Sequence, residues 1–364
     1  MRRPALIVAA CCCALASGAP ASANIPPPPA PGTTTTPTTT TTTKPAKPAA
    51  GSWAASSIRT VVTQGLMGPD VATFRPQDPL TRGDLAELVA GLTGQLPQPV
   101  TNPTATVSIA ALDSKLVGAL GLAPAAAELA QAARDGGLNP PTRFGTEVIA
   151  RLLGLRFNHP AAQDDLELLP TDPATRAEAA YSAARILAFD GSQEQRAADA
   201  AATFVLPFLG PWQTQILQTA FSLVGYPYVW GGTSERAEQP FGVKARGGFD
   251  CSGFVWRVYK LQPYPGAPTL AETLRGRTTY AMSGEVPTTK RVPYAKLQPG
   301  DVVFFGAQGP RSKPSQVDHA GIYAGSGWFV HSSSQGVTLT QLSGWYRQRF
   351  AWARRPLAEA GLGT

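Results

Sequence analysis

Cysteine is scarce in this chain. Of four cysteines in 364 residues, Cys11, Cys12 and Cys13 sit in an N-terminal segment with the marks of a secretory signal: Arg2 and Arg3, an apolar run from Ala5 to Ala16, and Ala21-Ser22-Ala23 before Asn24. Removing residues 1–23 leaves Cys251 alone, which excludes a disulfide framework and suggests a thiol kept for chemistry. A second reading makes Val8-Ala9-Ala10-Cys11 a lipoprotein acylation site. It leaves six apolar residues, Ala5 to Ala10, ahead of the cysteine, fewer than the roughly 7 to 15 that an export segment uses.

Long apolar runs are also missing. Ala5–Ala16 is too short for a bilayer, and no later stretch is long and apolar enough to form a membrane span. No run of Lys and Arg is dense enough to argue for nucleic acid. The formal charge of +7 becomes +5 without Arg2 and Arg3, which suits work beside an acidic wall polymer and is equally ordinary for a soluble protein. From Asn24 to Ala50 a Pro/Thr-rich tract lacks the apolar side chains that offset ordering entropy, so residues 24–52 read as a disordered linker.

The rest divides into a helical region, 53–200, and a more varied region, 201–364. In the first, Ile58, Val61, Val62, Leu66 and Met67 recur at helical spacing, and Leu85, Leu88, Val89 and Leu92 do so again after Thr81-Arg82-Gly83-Asp84. Related pairs stand at Thr142-Arg143, followed by Glu147, and at Thr175-Arg176-Ala177-Glu178, at unequal spacings of 61 and 33 residues. Each reads as a capping box, in which the threonine oxygen takes an N–H of the first turn and the acid reaches back. Capping explains the Thr and the acid, but not the recurrent arginine. Together with Gly65-Leu66-Met67-Gly68-Pro69-Asp70 and Phe74-Arg75-Pro76, these motifs resemble S-layer homology modules. The resemblance implies that Arg82, Arg143 and Arg176 contact a cell-wall polysaccharide. A helical domain that only packs is the competing reading.

The C-terminal region is poor in histidine, and that narrows its chemistry. The chain has three: His159, placed in a loop, and His319 and His331, close together downstream of Cys251. Gln213 to Val224 is apolar at helical spacing, and Tyr226-Pro227-Tyr228-Val229-Trp230-Gly231-Gly232 follows. Asp250 is placed to cap a helix through Phe254, Val255, Val258 and Tyr259, which sets Cys251 in the first turn. There the helix dipole favours thiolate, and such surroundings can draw a cysteine from about 8.5 to roughly 3.5–7.5. Residues 301–305, 320–324 and 328–330 read as strands. A tight turn at Gly325-Ser326 sets His319 opposite position 332, so His331 is a neighbour; register decides whether the two share a face.

A helix-borne cysteine with histidines on adjacent strands is what thiol nucleophile chemistry requires. In order along residues 211–357 come Pro227-Tyr228-Val229-Trp230-Gly231-Gly232, Phe249-Asp250-Cys251-Ser252-Gly253, Leu297-Gln298-Pro299-Gly300-Asp301, His319-Ala320-Gly321-Ile322-Tyr323 and Trp328-Phe329-Val330-His331. This region resembles the NlpC-type cell-wall cysteine endopeptidases, a papain-like family. The resemblance implies an α+β fold, with the helix bearing Cys251 packed on an antiparallel sheet behind a mainly α-helical domain.

It also implies Cys251 as nucleophile, His319 as base, His331 as its orienting partner, Tyr228 at the oxyanion, and Asp250 and Ser252 lining the substrate cleft. The implied substrate is peptidoglycan stem peptides, usually cut between D-glutamate and a diamino acid, by a secreted, wall-associated enzyme without a cofactor. Two loops, 233–248 and 306–317, are longer than that family's pattern. Their Lys244, Arg246, Arg311 and Lys313 either attract acidic peptides or are ordinary solvated charges. Three alternatives stay open: a zinc site of Cys251, His319 and His331, which lacks any paired ligand spacing; a non-catalytic wall-binding protein; and an amidase that frees whole stem peptides from the glycan.

Overall fold

The computed structural model describes residues 51–363, so the expected signal segment and the linker as far as residue 50 lie outside it. The described residues cluster as one compact unit. Among the described residues no single helix is long and apolar enough to cross a membrane.

The first half is helical: α1 (Ala55–Thr63), α2 (Arg82–Thr93), α3 (Ile109–Ala119), α4 (Ala123–Asp135), α5 (Phe144–Leu152), α6 (Arg176–Leu187) and α7 (Ser192–Ala202). Its organising feature is a closed ring of backbone hydrogen bonds. The Leu80 amide donates to the Ala174 carbonyl (2.7 Å), that of Ala174 to Val107 (2.8 Å), and that of Val107 to Leu80 (3.0 Å). The residue after each ring member caps a helix: Thr81 on α2, with a full capping box to Asp84, Ser108 on α3, and Thr175 on α6. Three equivalent chain segments thus satisfy one another's amides where no sheet exists.

The middle copy is therefore at Ser108, not at Thr142. Thr142 is exposed, and α5 begins at Phe144 with no side-chain cap. Sequence spacing favoured Thr142 because it precedes an arginine; at Ser108 the arginine position holds Ile109, which is fully buried.

The second half continues with α8 (Pro211–Ser222), β1 (Thr233–Ser234), β2 (Gly248–Phe249), α9 (Cys251–Trp256), α10 (Leu270–Thr273), α11 (Thr279–Gly284), β3 (Val302–Gly306), β4 (Val317–Gly325), β5 (Trp328–Ser333), β6 (Gly336–Gln341), α12 (Gly344–Arg349), β7 (Phe350–Arg354) and α13 (Pro356–Glu359). The fold is α+β, with an antiparallel sheet in the order β6-β5-β4-β3-β7. Phe254 and Val255 of α9, with Val258 and Tyr259 in the π-helical turn that continues it, are fully buried. Each such side chain taken out of water contributes about 1.5–3 kcal/mol, which fixes the helix and with it Cys251.

The two halves share this core. Phe144 of α5 stacks on Phe221 of α8 with centroids 4.9 Å apart. Asn139 and Gln218 exchange two hydrogen bonds, of 2.7 and 2.9 Å. Asp164, from the helical half, accepts the Trp230 amide at 3.0 Å.

Candidate active site

Asp250 caps α9 by accepting the Gly253 amide, as its position in the sequence predicts. Glycine at 253 is a steric requirement, because a Cβ there would stand 1.9 Å from the Gly232 carbonyl oxygen. The cap leaves Cys251 as the first helical residue, buried, with Sγ 3.9 Å from the Asp318 carbonyl and within reach of the Ala320 amide. Those two groups flank His319 on β4.

The histidine pair depends on a bulge. Ile322 pairs with Val330 and Tyr323 with Phe329, but Gly325 pairs with Trp328, so Ala324 is the extra residue. Ser326 and Gly327 make the turn, both with positive φ, one position later than expected. This shift moves His331 onto the same face as His319, diagonally across the two strands. Between them sits Gly321, where a Cβ would lie 2.7 Å from the Val330 carbonyl and 3.0 Å from the His331 Cβ. With that space left open, His319 Nε2 reaches His331 Nδ1 at 2.8 Å. On its far side His331 Nε2 lies 3.1 Å from Thr340 Oγ1 on β6.

Burial sets the protonation states. It pushes the His319 imidazole down to about 4, with Asp318 resisting and Arg349 adding to the fall. His331 is driven well below the ordinary histidine range by burial and then by its partner. The Cys251 thiol is pushed up to about 12, first by burial and then by the Asp250 carboxylate, against amide hydrogen bonds from Ala320 and Ser252. The sequence reading expected a lowered thiol; the helix N-terminus is outweighed by desolvation of the sulfur. Burial thus favours the uncharged form of all three groups.

Tyr228 sits at the mouth of α9, bridged through its backbone to Phe249, and burial followed by the neighbouring Cys251 raises its phenol. Tyr346 of α12 feels Cys251 in the same way, and its ring meets His331 edge-on at 5.1 Å and His319 at 6.0 Å. Phe329 stacks on His331 at 4.5 Å. No spacing rule pointed to Tyr346, which lies in a short helix, after a loop, with few sequence signals.

Arg277 is a second residue the sequence did not reveal. It donates to Asp250 Oδ1 (3.1 Å), Ser252 Oγ (2.7 Å) and the Gly231 carbonyl (3.0 Å). The Gly231 amide adds a 3.0 Å bond to Asp250 Oδ2. Asp250 and Ser252 are thereby locked beside the nucleophile. The clue was Asp250 itself, an acid at a buried turn that needs a cation. Arg277→Ala leaves that carboxylate without its counter-ion, held only by the Gly231 and Gly253 amides and the Ser252 hydroxyl, and the unfolding free energy is expected to drop by about 1–3 kcal/mol in urea titration.

The three arginines expected to contact a wall polymer are not brought together. Arg82 is exposed, with Nη1 3.3 Å from the Thr101 carbonyl. Arg176 bonds Asp84 and the Phe74 carbonyl and stacks 4.8 Å over the Phe74 ring. Arg143 stands outside the ring of repeats and donates to the carbonyls of Ser222 (2.8 Å) and Val224 (3.2 Å). His159 is buried, with Nδ1 3.0 Å from Glu167 Oε1. Lys244, Arg246, Arg311 and Lys313 are all exposed.

Residues 225–355 match the NlpC/P60 family, and residues 47–86 match the S-layer homology domain. The probable peptidoglycan endopeptidase LytE of Bacillus subtilis is 36% identical over 143 residues, 39% of this chain and 34% of that protein. The murein DD-endopeptidase MepH of Escherichia coli is 35% identical over 135 residues, 36% of this chain and 41% of that protein. A gamma-D-glutamyl-L-lysine dipeptidyl-peptidase of Bacillus subtilis is 30% identical over 149 residues, 40% of this chain and 41% of that protein. The chain therefore spans between a third and a little over two-fifths of the length of these relatives. Residues 225–355 form an NlpC/P60-family domain, and an S-layer homology segment precedes it.

Proposed function

We propose that the C-terminal region is a cysteine endopeptidase of peptidoglycan, secreted and held at the cell wall by the S-layer-like helical region, and that it cuts stem peptides after D-glutamate. The observation that carries this reading is the line Cys251, His319, His331, with the sulfur at a helix N-terminus against the strand that bears the base. Peptidoglycan as substrate class is supported by the names of the relatives. The D-glutamyl–diamino acid bond is supported by one of them, the gamma-D-glutamyl-L-lysine peptidase.

In the proposed reaction, Nε2 of His319 is engaged with His331, so Nδ1 takes the proton from Sγ. The thiolate attacks the amide carbon, and the oxyanion is held by the Cys251 N–H and the Tyr228 hydroxyl. His331 stabilises the imidazolium by accepting from His319. The C–N bond then breaks, the imidazolium returns its proton to the leaving amine, and a thioester remains. Water attacks that thioester, giving its proton to His319, and the acid and free thiol are released. Asp250, Ser252 and Arg277 line the side of the cleft reached by the substrate.

The test uses the full mature chain, because the two halves share a core. Wild type and Cys251→Ala are incubated with purified muropeptides and the products followed by mass spectrometry. Fragments severed within the stem are expected from the wild type only. Whole stem peptides freed from the glycan would instead indicate an amidase, and equal products from both proteins would end the proposal.

A further inference from the structure

We infer that Thr340 is a positioning residue for this site: its hydroxyl oxygen accepts from His331 Nε2–H in the tautomer that the charged base requires, and so biases His331, and through it His319, toward that tautomer. The inference rests on His319 acting as the base, and it assigns a task to a residue outside the cysteine and histidine set. Three polar side chains lie in line on consecutive strands, His319 on β4, His331 on β5 and Thr340 on β6, with contacts of 2.8 and 3.1 Å. Strand register makes this possible. His331 pairs with Thr338 and Phe329 with Thr340, so Thr340 is the diagonal neighbour of His331 on the same face.

Counting protons shows what the third member decides. A neutral imidazole carries one N–H, and two rings sharing the 2.8 Å contact have two consistent arrangements. In the first, His319 Nε2–H donates to His331 Nδ1. His331 then bears its proton on Nε2, and His319 Nδ1 is a bare lone pair. In the second, His331 Nδ1–H donates to His319 Nε2, the His319 proton moves to Nδ1, and the base is lost. The two differ at His331 Nε2, which is a donor in the first and an acceptor in the second.

Thr340 Oγ1 is the group facing that nitrogen. Thr340 is half-buried and has no second side-chain partner among the described residues, so its hydroxyl is free to accept from His331 Nε2–H, as the first arrangement needs, or to donate to a bare Nε2, as the second would. The charged state selects between them: when His319 becomes imidazolium both of its nitrogens are donors, so His331 must accept at Nδ1 and give its Nε2–H to Thr340 Oγ1. One hydroxyl orientation therefore serves the resting and charged states, and nothing in the line has to rotate. Its β-branched side chain holds Oγ1 in place, and the Phe329 ring stacked on His331 fixes the plane of the imidazole.

The experiment reads the tautomers directly. The mature chain holds three histidines, so a ¹⁵N-histidine-labelled sample gives three imidazoles, and His319 and His331 are assigned from the signals lost in His159→Gln and in His331→Asn. Long-range ¹H–¹⁵N spectra at neutral pH are expected to show both His319 and His331 protonated on Nε2. In Thr340→Val, His331 is expected to lose that single tautomer and kcat to fall roughly ten- to hundredfold with KM unchanged, the worth of one hydrogen bond to a charged relay. Thr340→Ser keeps the oxygen and is expected to restore both the spectrum and kcat to within a few-fold of wild type. Unchanged tautomers in Thr340→Val overturn the inference, as does a serine variant as impaired as the valine one. The spectra decide the matter even if the wild type cleaves no muropeptide, so failure of the peptidase reading and failure of this one are told apart.

Discussion

His331→Ala is expected to lower kcat by about 10²–10⁴-fold while leaving the protein folded. Its Nδ1 is the partner of His319 Nε2, so its removal leaves a buried donor unpaired and lets the His319 ring swing away from Cys251. Loss of the orienting member of a triad falls in that range, because base, tautomer and ring plane are compromised together. The packing around His331 comes from Phe329 and Tyr346, which remain. The loss in unfolding free energy is therefore expected to be about 1–3 kcal/mol, the desolvation penalty of the orphaned N–H plus a small cavity. His331→Asn, which can accept from His319 through its side-chain oxygen, should recover part of the rate. Steady-state kinetics and urea denaturation on the same samples separate the two roles. A fall in stability as steep as the fall in turnover would mark His331 as structural.

Local chemistry in this chain was readable residue by residue, and long-range pairing was not. Asp250 capping α9 follows from its place before an apolar helical pattern, and the three strands around the histidines follow from their apolar runs between glycines. The register did not follow, because Ala324 as a bulge depends on how β4 and β5 settle on the core. The histidines meet only because that bulge exists and Gly321 leaves room. In the helical half, Thr81 and Thr175 announce themselves by their capping chemistry, but Ser108 has no acid three residues on. Its equivalence appears only in the backbone ring through Leu80, Val107 and Ala174. Arg277 and Tyr346 were hidden for a related reason, as each reaches the site from a separate segment. The thiol was misjudged because a helix N-terminus can be inferred locally, whereas burial of the sulfur depends on the whole fold.

That burial makes the acid limb of the pH profile the second large effect. With His319 at about 4 instead of 6.5, roughly 90% of the site still holds an unprotonated base at pH 5. An ordinary histidine would leave about 3%, a difference of some thirtyfold. kcat/KM is therefore expected to change by less than about threefold between pH 7 and pH 5 and to fall only near pH 4. The thiol adds no alkaline limb in the neutral range, because burial pushes its own titration up to about 12.

The fold should survive this range because opposing titrations offset one another. His319 and His331 bind protons more weakly in the folded chain than in the unfolded one, so their contribution is whole above pH 6.5 and shrinks as the pH falls toward 4. Glu147 and Asp164 are each raised by burial to about 7, so the folded chain binds their protons more tightly and gains stability as the pH falls from 7 toward the ordinary carboxylate range. Initial rates on a muropeptide from pH 4 to 8, with circular dichroism at each point, test both statements. A tenfold loss of kcat/KM between pH 7 and 5.5 with the spectrum intact would place the His319 titration near 6.5, and a water-exposed base would have to replace the buried one.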